Sequence, residues 1–220
     1  MSVWEILVKY HSQLLGGLEI TLWLCTATYA IGLIAGVLIG VGRYRVGAWL
    51  DVPCRFISVI LSALPLIVLL FWLHYPLQYL LQVVIKPIYT SIAALSIIMT
   101  FMVADVVVEA LHSFPLELID AARVTGMSKK QMAWRIQWPI IFREIIPQLL
   151  FIMVVILQGT LFTSLISVEE IFRVAQQINS DIYQPVQIYT TLAIFFIVIC
   201  SALNLLGIYL KSRFKWKTST

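Results

Sequence analysis

Charge is what this sequence has least of. Of 220 residues, 11 are acidic and 15 basic, 12% together, where water-soluble domains run to about a quarter. So few ionised groups exclude an ordinary soluble globule. Cysteine is scarce too: Cys25, Cys54 and Cys200 lie far apart without paired spacing, so neither a disulfide framework nor a metal site is suggested. No segment repeats and none is of low complexity, which leaves the inverted-repeat plan of secondary transporters without support. The first fifteen residues lack the basic n-region of a cleavable signal peptide.

What the chain has instead is hydrophobic residues, 61% of the total, and a mean hydropathy of +0.96. Residues 20–42, 56–85, 87–104, 145–168 and 182–210 contain no Asp, Glu, Lys or Arg. A helix needs about 20 apolar residues to cross the hydrocarbon, so each run holds one span and none holds two. The reading is an all-α membrane protein with five spans, at about 18–41, 56–75, 88–111, 147–166 and 188–210. Arg43, Arg45 and Arg55 follow the first span, five basic residues lie between the third and fourth, and four close the chain; only Lys9, Lys86 and Arg173 fall on the other side. The bias of basic residues toward the cytoplasm then puts the N-terminus outside and the C-terminus inside. Topology accounts for the net charge of +4, and no nucleic-acid partner is implied.

Local patterns refine this. Val3, Trp4, Leu7, Val8, His11, Leu14 and Leu15 have helical spacing, which suits an external interfacial helix over residues 1–15 ahead of a single transmembrane domain at 16–215 and a tail at 216–220. Gly32, Gly36 and Gly40 line one face of the first span and permit close approach of another helix, within the chain or across a dimer seam. Pro65 removes a backbone hydrogen bond inside the second span and kinks it. His74 belongs to an aromatic stretch, Trp72 to Pro76, placed at the outer interface. Asp105 and Glu109 are four apart near the end of the third span and share a face. Gln158, Thr160 and Thr163 sit in the outer half of the fourth. The connection 167–188 is acidic and polar, and long enough for a short outer helix.

A polar island at 115–142 separates the third and fourth spans. Asp120 is placed to start a short helix as an acceptor of backbone N–H groups. Ala121 and Ala122 are small and let that helix lie close to a partner surface. Gly126 permits a sharp turn. After Met127 and Ser128, Lys129 and Lys130 begin a second helix, which Pro139 stops or kinks before the membrane.

The island's spacing is Asp120-Ala121-Ala122, three residues, Gly126, nine residues, Ile136-x-Trp138-Pro139. It resembles the EAA loop of ABC importer permeases, Glu-Ala-Ala-x3-Gly-x9-Ile-x-Leu-Pro. The rest of the chain resembles the five-span, polar amino-acid branch of that binding-protein-dependent family. Gly17-x3-Thr21-Leu22, Ser62 through Leu66 (where members show Arg-Gly-Thr-Pro-Leu), Arg143 with Pro147, and Ala175-Gln176-Gln177-Ile178 are the matching stretches. The resemblance implies the type I importer permease fold, with the loop docking on an ATP-binding cassette ATPase dimer. It implies an extracytoplasmic solute-binding protein, a second permease subunit and a bacterial inner membrane, with ATP and Mg bound by the ATPase and no cofactor or catalysis on this chain.

Two departures bear on the solute. Members usually carry Ala-Tyr-x-x-Glu in the third span with Arg three residues on; here stand Phe101, Met102, Asp105 and Val108. Where the fourth span usually shows Asn and then Lys-Asp-Thr-Ser, this chain has Phe151 and then Gln158, Gly159, Thr160 and Leu161. The loss of charged positions points to a non-identical sister subunit holding most solute contacts, with Asp105, Glu109, Pro65, Gln158 and Thr160 as this chain's share of the pathway. Asp105 then faces the subunit interface, or else lies near enough to the cytoplasmic headgroups to be solvated. Other readings are a permease for a different small solute, an ion-coupled carrier using Asp105 and Glu109, or a non-transporting scaffold.

Overall fold

The computed structural model describes residues 3–214, and those residues fold into helices and short connections. The tail at 216–220 and the basic residues Lys215 and Lys217 lie outside them. In chain order the helices are α1 (Val3–Val46), α2 (Ala48–Ala63), α3 (Leu66–His74), α4 (Pro76–Leu81), α5 (Pro87–His112), α6 (Leu116–Val124), α7 (Lys129–Met132), α8 (Trp138–Gly159), α9 (Ile171–Ile182) and α10 (Pro185–Phe214). A π turn, Ala133–Gln137, joins α7 to α8, and a 3-10 segment, Thr160–Ile166, extends α8. Among the described residues four helical stretches are long and apolar enough to cross a membrane, or five if the bent pair α2 and α3–α4 counts as one.

At 44 residues, α1 is about 66 Å long at 1.5 Å per residue, twice the hydrocarbon thickness. Non-helical geometry at Tyr10 (φ −107°, ψ 15°) divides it into a short first helix and the long one that follows. Residues 3–15 contain neither Pro nor Gly, so the break between the two is confined to that one residue. Ile6 is buried against Ile171, Val174 and Ile178 of α9 and Ile188 of α10, which ties this end down.

The centre of the molecule is α5. Its Met99, Val103 and Val107 are fully buried and pack with Ile141, Ile145, Ile152 and Ile156 of α8. Across from them lies the glycine face of α1. A Cβ built on Gly32 would stand 2.6 Å from Met99 Cγ, one on Gly36 2.6 Å from Val103 Cβ, and one on Gly40 2.8 Å from Val107 Cβ. Only hydrogen fits, and α5 fills the groove the glycines make. Of the two uses left open for this stripe, packing within the chain is the one it serves.

The second apolar run is not a kinked helix but a broken one. Helix α2 ends at Ala63, Leu64 is extended, Pro65 starts α3, and the two directions differ by 102°. Proline disfavours helical geometry in the residue before it, so Leu64 leaves the helix and the turn follows. Beyond the bend, Gln78 Nε2 lies 3.1 Å from both His74 Nδ1 and Thr90 Oγ1, and Gln78 Oε1 accepts from the Ile85 N–H at 2.8 Å. This cluster fastens α3–α4 to the first turn of α5.

The fourth apolar helix begins earlier than residue 147. Pro139 occupies its first turn and Pro147 lies inside it. Proline lacks an N–H and its ring crowds the carbonyl four residues back, and the widened π turn at 133–137 absorbs both at Pro139. The connection 167–188 contains α9, as its length suggested, capped by Glu170. We expect Gly36→Leu to lower the thermal stability of the detergent-solubilised chain by about 1–3 kcal/mol or more, because the added side chain must displace Val103. Surface Gly16, with nothing within 4 Å of its Cβ position, should accept Ala with little change.

Candidate functional site

Pro115 and Gly126 bound a compact helical turn between α5 and α8. Pro115 is the N-cap of α6 and Glu117 takes the first turn. Asp120 therefore does not begin the helix: it lies at the middle of α6, exposed, 3.2 Å from the equally exposed Arg123. Proline's fixed φ and missing N–H make the stretch after it a natural helix start, and Asp120 comes five residues too late to compete. Of the two alanines, Ala122 is buried and Ala121 faces outward. Gly126 has φ +77° and donates to Arg123 O at 3.0 Å, while Met127 N–H reaches back to Ala122 O at 3.2 Å. These bonds close the helix C-terminus in the left-handed conformation that glycine adopts without strain.

Ser128 then caps α7. Its hydroxyl accepts from Gln131 N–H at 3.3 Å and Gln131 Oε1 accepts from Ser128 N–H at 2.9 Å, a reciprocal capping box. The pattern Ser-x-x-Gln was visible in the sequence as a helix start, and Lys129 is the first residue of α7 as expected. Asp120, Ala121, Gly126, Lys129 and Lys130 are all exposed. Val124 (90% exposed) and Trp134 (68%) stand beside them, so the loop offers a mixed apolar and charged surface with a rigid backbone.

The five residues proposed for the pathway fall in two places: Asp105 and Glu109 near the end of α5, and Gln158 and Thr160 flanking Gly159, which meets Leu66 next to Pro65. Glu109 is exposed at the end of α5, whereas Asp105, one turn earlier, is turned toward α1 and α2. Its carboxylate takes one Nη of Arg43 at 2.5 Å and the hydroxyl of Ser58. Arg43, 3% exposed, also donates from Nε to Asp51 at 2.9 Å. Asp105 is bonded to protein through both oxygens while its side chain stays 44% exposed. Gln158 sits at the contact of α8 with α10, 3.9 Å from Cys200 Sγ. Thr160 is fully buried and its hydroxyl donates to Leu157 O, and Pro65 marks the bend. Arg43, Asp51 and Ser58 were not singled out from sequence. The available signal was that Arg43 continues the Gly32–Gly36–Gly40 face by three residues, which aims it at α5.

The family of binding-protein-dependent transport system inner membrane components matches residues 31–216. The chain belongs to this family. It is a membrane permease component of such a transport system, and the helices described above are that component's scaffold. The octopine transport system permease protein OccM of Rhizobium meliloti is 26% identical over 197 residues, covering 86% of this chain and 79% of OccM. The histidine/lysine/arginine/ornithine transport system permease protein HisM of Salmonella typhimurium is 25% identical over 229 residues, covering 96% of each. Among solved structures, an amino acid ABC transporter crystallised with histidines superposes with TM-score 0.82 at 22% identity, covering 94% of this chain and 96% of that one. The inward-facing MetNI methionine ABC transporter gives TM-score 0.76 at 18% identity, covering 94% and 99%. The fold is thus that of type I importer permeases.

The family's Ala-Gln-Gln-Ile stretch falls in α9, whose first turn rests on Glu170. That carboxylate is fully buried and accepts the N–H groups of Phe172 at 2.9 Å and Arg173 at 2.8 Å. Burial pushes its pKa up to about 7, against the pull of those two N–H groups. A carboxyl whose pKa rises on folding contributes its full stability below the ordinary value near 4.5, and loses it as pH climbs through about 7. The thermal midpoint should therefore be higher at about pH 5 than at about pH 8, and Glu170→Gln should flatten this difference. Glu170→Ala should cost about 1 kcal/mol as a lost cap at the acidic end too.

Proposed function

We propose that this permease moves a polar amino acid, or an amino-acid-like solute, inward across a bacterial inner membrane, driven by ATP hydrolysis on a partner ATP-binding cassette dimer. The observation that carries the reading is the loop at 115–142: two short capped helices about the Gly126 turn, with Asp120, Ala121 and Lys129 on its open surface, at the family's EAA spacing. Such a loop transmits displacement because every turn of it is hydrogen-bonded. ATP and Mg reside on the ATPase, and a solute-binding protein delivers cargo at the opposite face. The solute class is supported by the relatives that carry octopine and histidine/lysine/arginine/ornithine in their names.

The chain crosses the membrane five times with the N-terminus outside, the broken α2–α4 segment counting as one crossing. The distribution of basic residues supports this orientation. Single cysteines at Trp4 and Arg213, in a background without the three native ones, should label from opposite sides with an impermeant reagent; labelling from one side overturns the topology.

A non-identical sister permease supplies most solute contacts. A zwitterion in a low-dielectric passage needs partners for both of its charges. Here Asp105 is engaged by Arg43 and Ser58 and Thr160 donates to its own helix, so exposed Gln158 and the N–H groups at the start of α3 are what this chain offers a carboxylate. A complex of one ATPase and this permease alone that still transports would refute the two-permease reading.

Gly126→Pro removes the N–H that closes α6, and Asp120→Arg reverses a charge on the docking surface. Both should leave the chain inserted and cut solute uptake about tenfold or more, with ATP hydrolysis no longer stimulated by loaded binding protein; a tenfold loss corresponds to about 1.4 kcal/mol of coupling. Full transport in both variants would defeat the assignment.

A further inference from the structure

The network around Arg43 ties together three helices that packing alone holds unequally. Helix α1 lies against α5 along its glycine face, but α2 buries only Cys54. Trp49, Val52, Phe56 and Val59 on α2 are 91%, 62%, 67% and 59% exposed. Gly47, with φ +75°, turns the chain between α1 and α2, and the 102° bend at Leu64–Pro65 separates α2 from α3. Helix α2 is thus an arm with a turn at each end. Among the described residues, its side-chain hydrogen bonds to other helices are Asp51 with Arg43 of α1 and Ser58 with Asp105 of α5.

Asp105 is seven residues before the end of α5, about 10 Å along the helix, and α6 begins four residues past that end at Leu116. A helix is stiff over two turns, so displacement of α6 is felt at Asp105. One carboxylate oxygen of Asp105 is bound to α1 through Arg43 and the other to α2 through Ser58, so the displacement is shared by all three.

We propose that Arg43, Asp51, Ser58 and Asp105 form the joint through which motion of the coupling loop moves the first half of the broken span, α2 travelling with α5 as one body. Asp105, its side chain 44% exposed, is on this view a positioning residue and not a solute ligand, because each of its oxygens is bonded to a different helix of this chain. The proposal rests on the docking of the 115–142 loop on the ATPase.

Spin-label distances in the full complex, reconstituted in nanodiscs and compared without nucleotide and trapped with ATP, Mg and vanadate, test it without needing the solute. One label pair, Val59→Cys with Ile208→Cys, reports on α2; another, Val124→Cys with Ile208→Cys, reports on α6. Both distances should change on trapping in the unmutated complex. In Ser58→Ala and Asp105→Asn the α6 change should persist with ATP hydrolysis retained, while the α2 change shrinks by half or more. A full α2 change in both variants overturns the joint. Loss of assembly or of hydrolysis in both also overturns it, marking the network as a structural staple only. An α6 that stays still in the unmutated complex defeats the docking assignment itself, and the joint with it.

Discussion

The close approach of α1 to α5 is the constraint on which the rest depends. Inside a bilayer no hydrophobic force draws helices together, because lipid tails are as apolar as leucine; contact must come from packing and from polar bonds. Three glycines let Met99, Val103 and Val107 sink into the surface of α1, and this brings the next residue on that face, Arg43, within reach of Asp105. A wider separation would leave a guanidinium and a carboxylate apart at the edge of the hydrocarbon, where each is costly alone. Packing and electrostatics here are consecutive turns of one seam.

The membrane class, the boundaries of the third apolar helix, the presence of the fifth and the short helix α9 are legible because each depends on neighbours in sequence: charge-free runs, proline positions, a polar stretch of sufficient length. The Gly126 turn was legible for the same reason, since its requirement is a local backbone conformation. Asp120 was misplaced because two start signals compete within six residues, and Pro115 dominates. The Ser128 capping box could have been read and was not.

Long-range pairings were out of reach. Arg43 and Asp105 are 62 residues apart, and nothing in the composition around either names the other; only the glycine face hints at the direction. Thr160 shows the converse. Polar residues in an apolar helix suggest a pathway, yet a hydroxyl that donates to its own helix, as that of Thr160 does, satisfies itself without any solute. The first span's kink at Tyr10 and its contact with α9 likewise follow from how the helices stack.

The π turn at Ala133–Gln137 inserts an additional residue into what would otherwise be one continuous helix from α7 into α8. Since each residue of an α-helix advances by about 100°, the turn sets the rotational phase between the loop that Ser128 caps and the span that begins at Trp138. The faces of α7 and of α8 are therefore indexed to one another like two gears keyed on a common shaft. Ile136 of this turn also packs against the α5–α8 core, and loss of one residue here would turn the loop surface through more than a quarter of a revolution relative to α8.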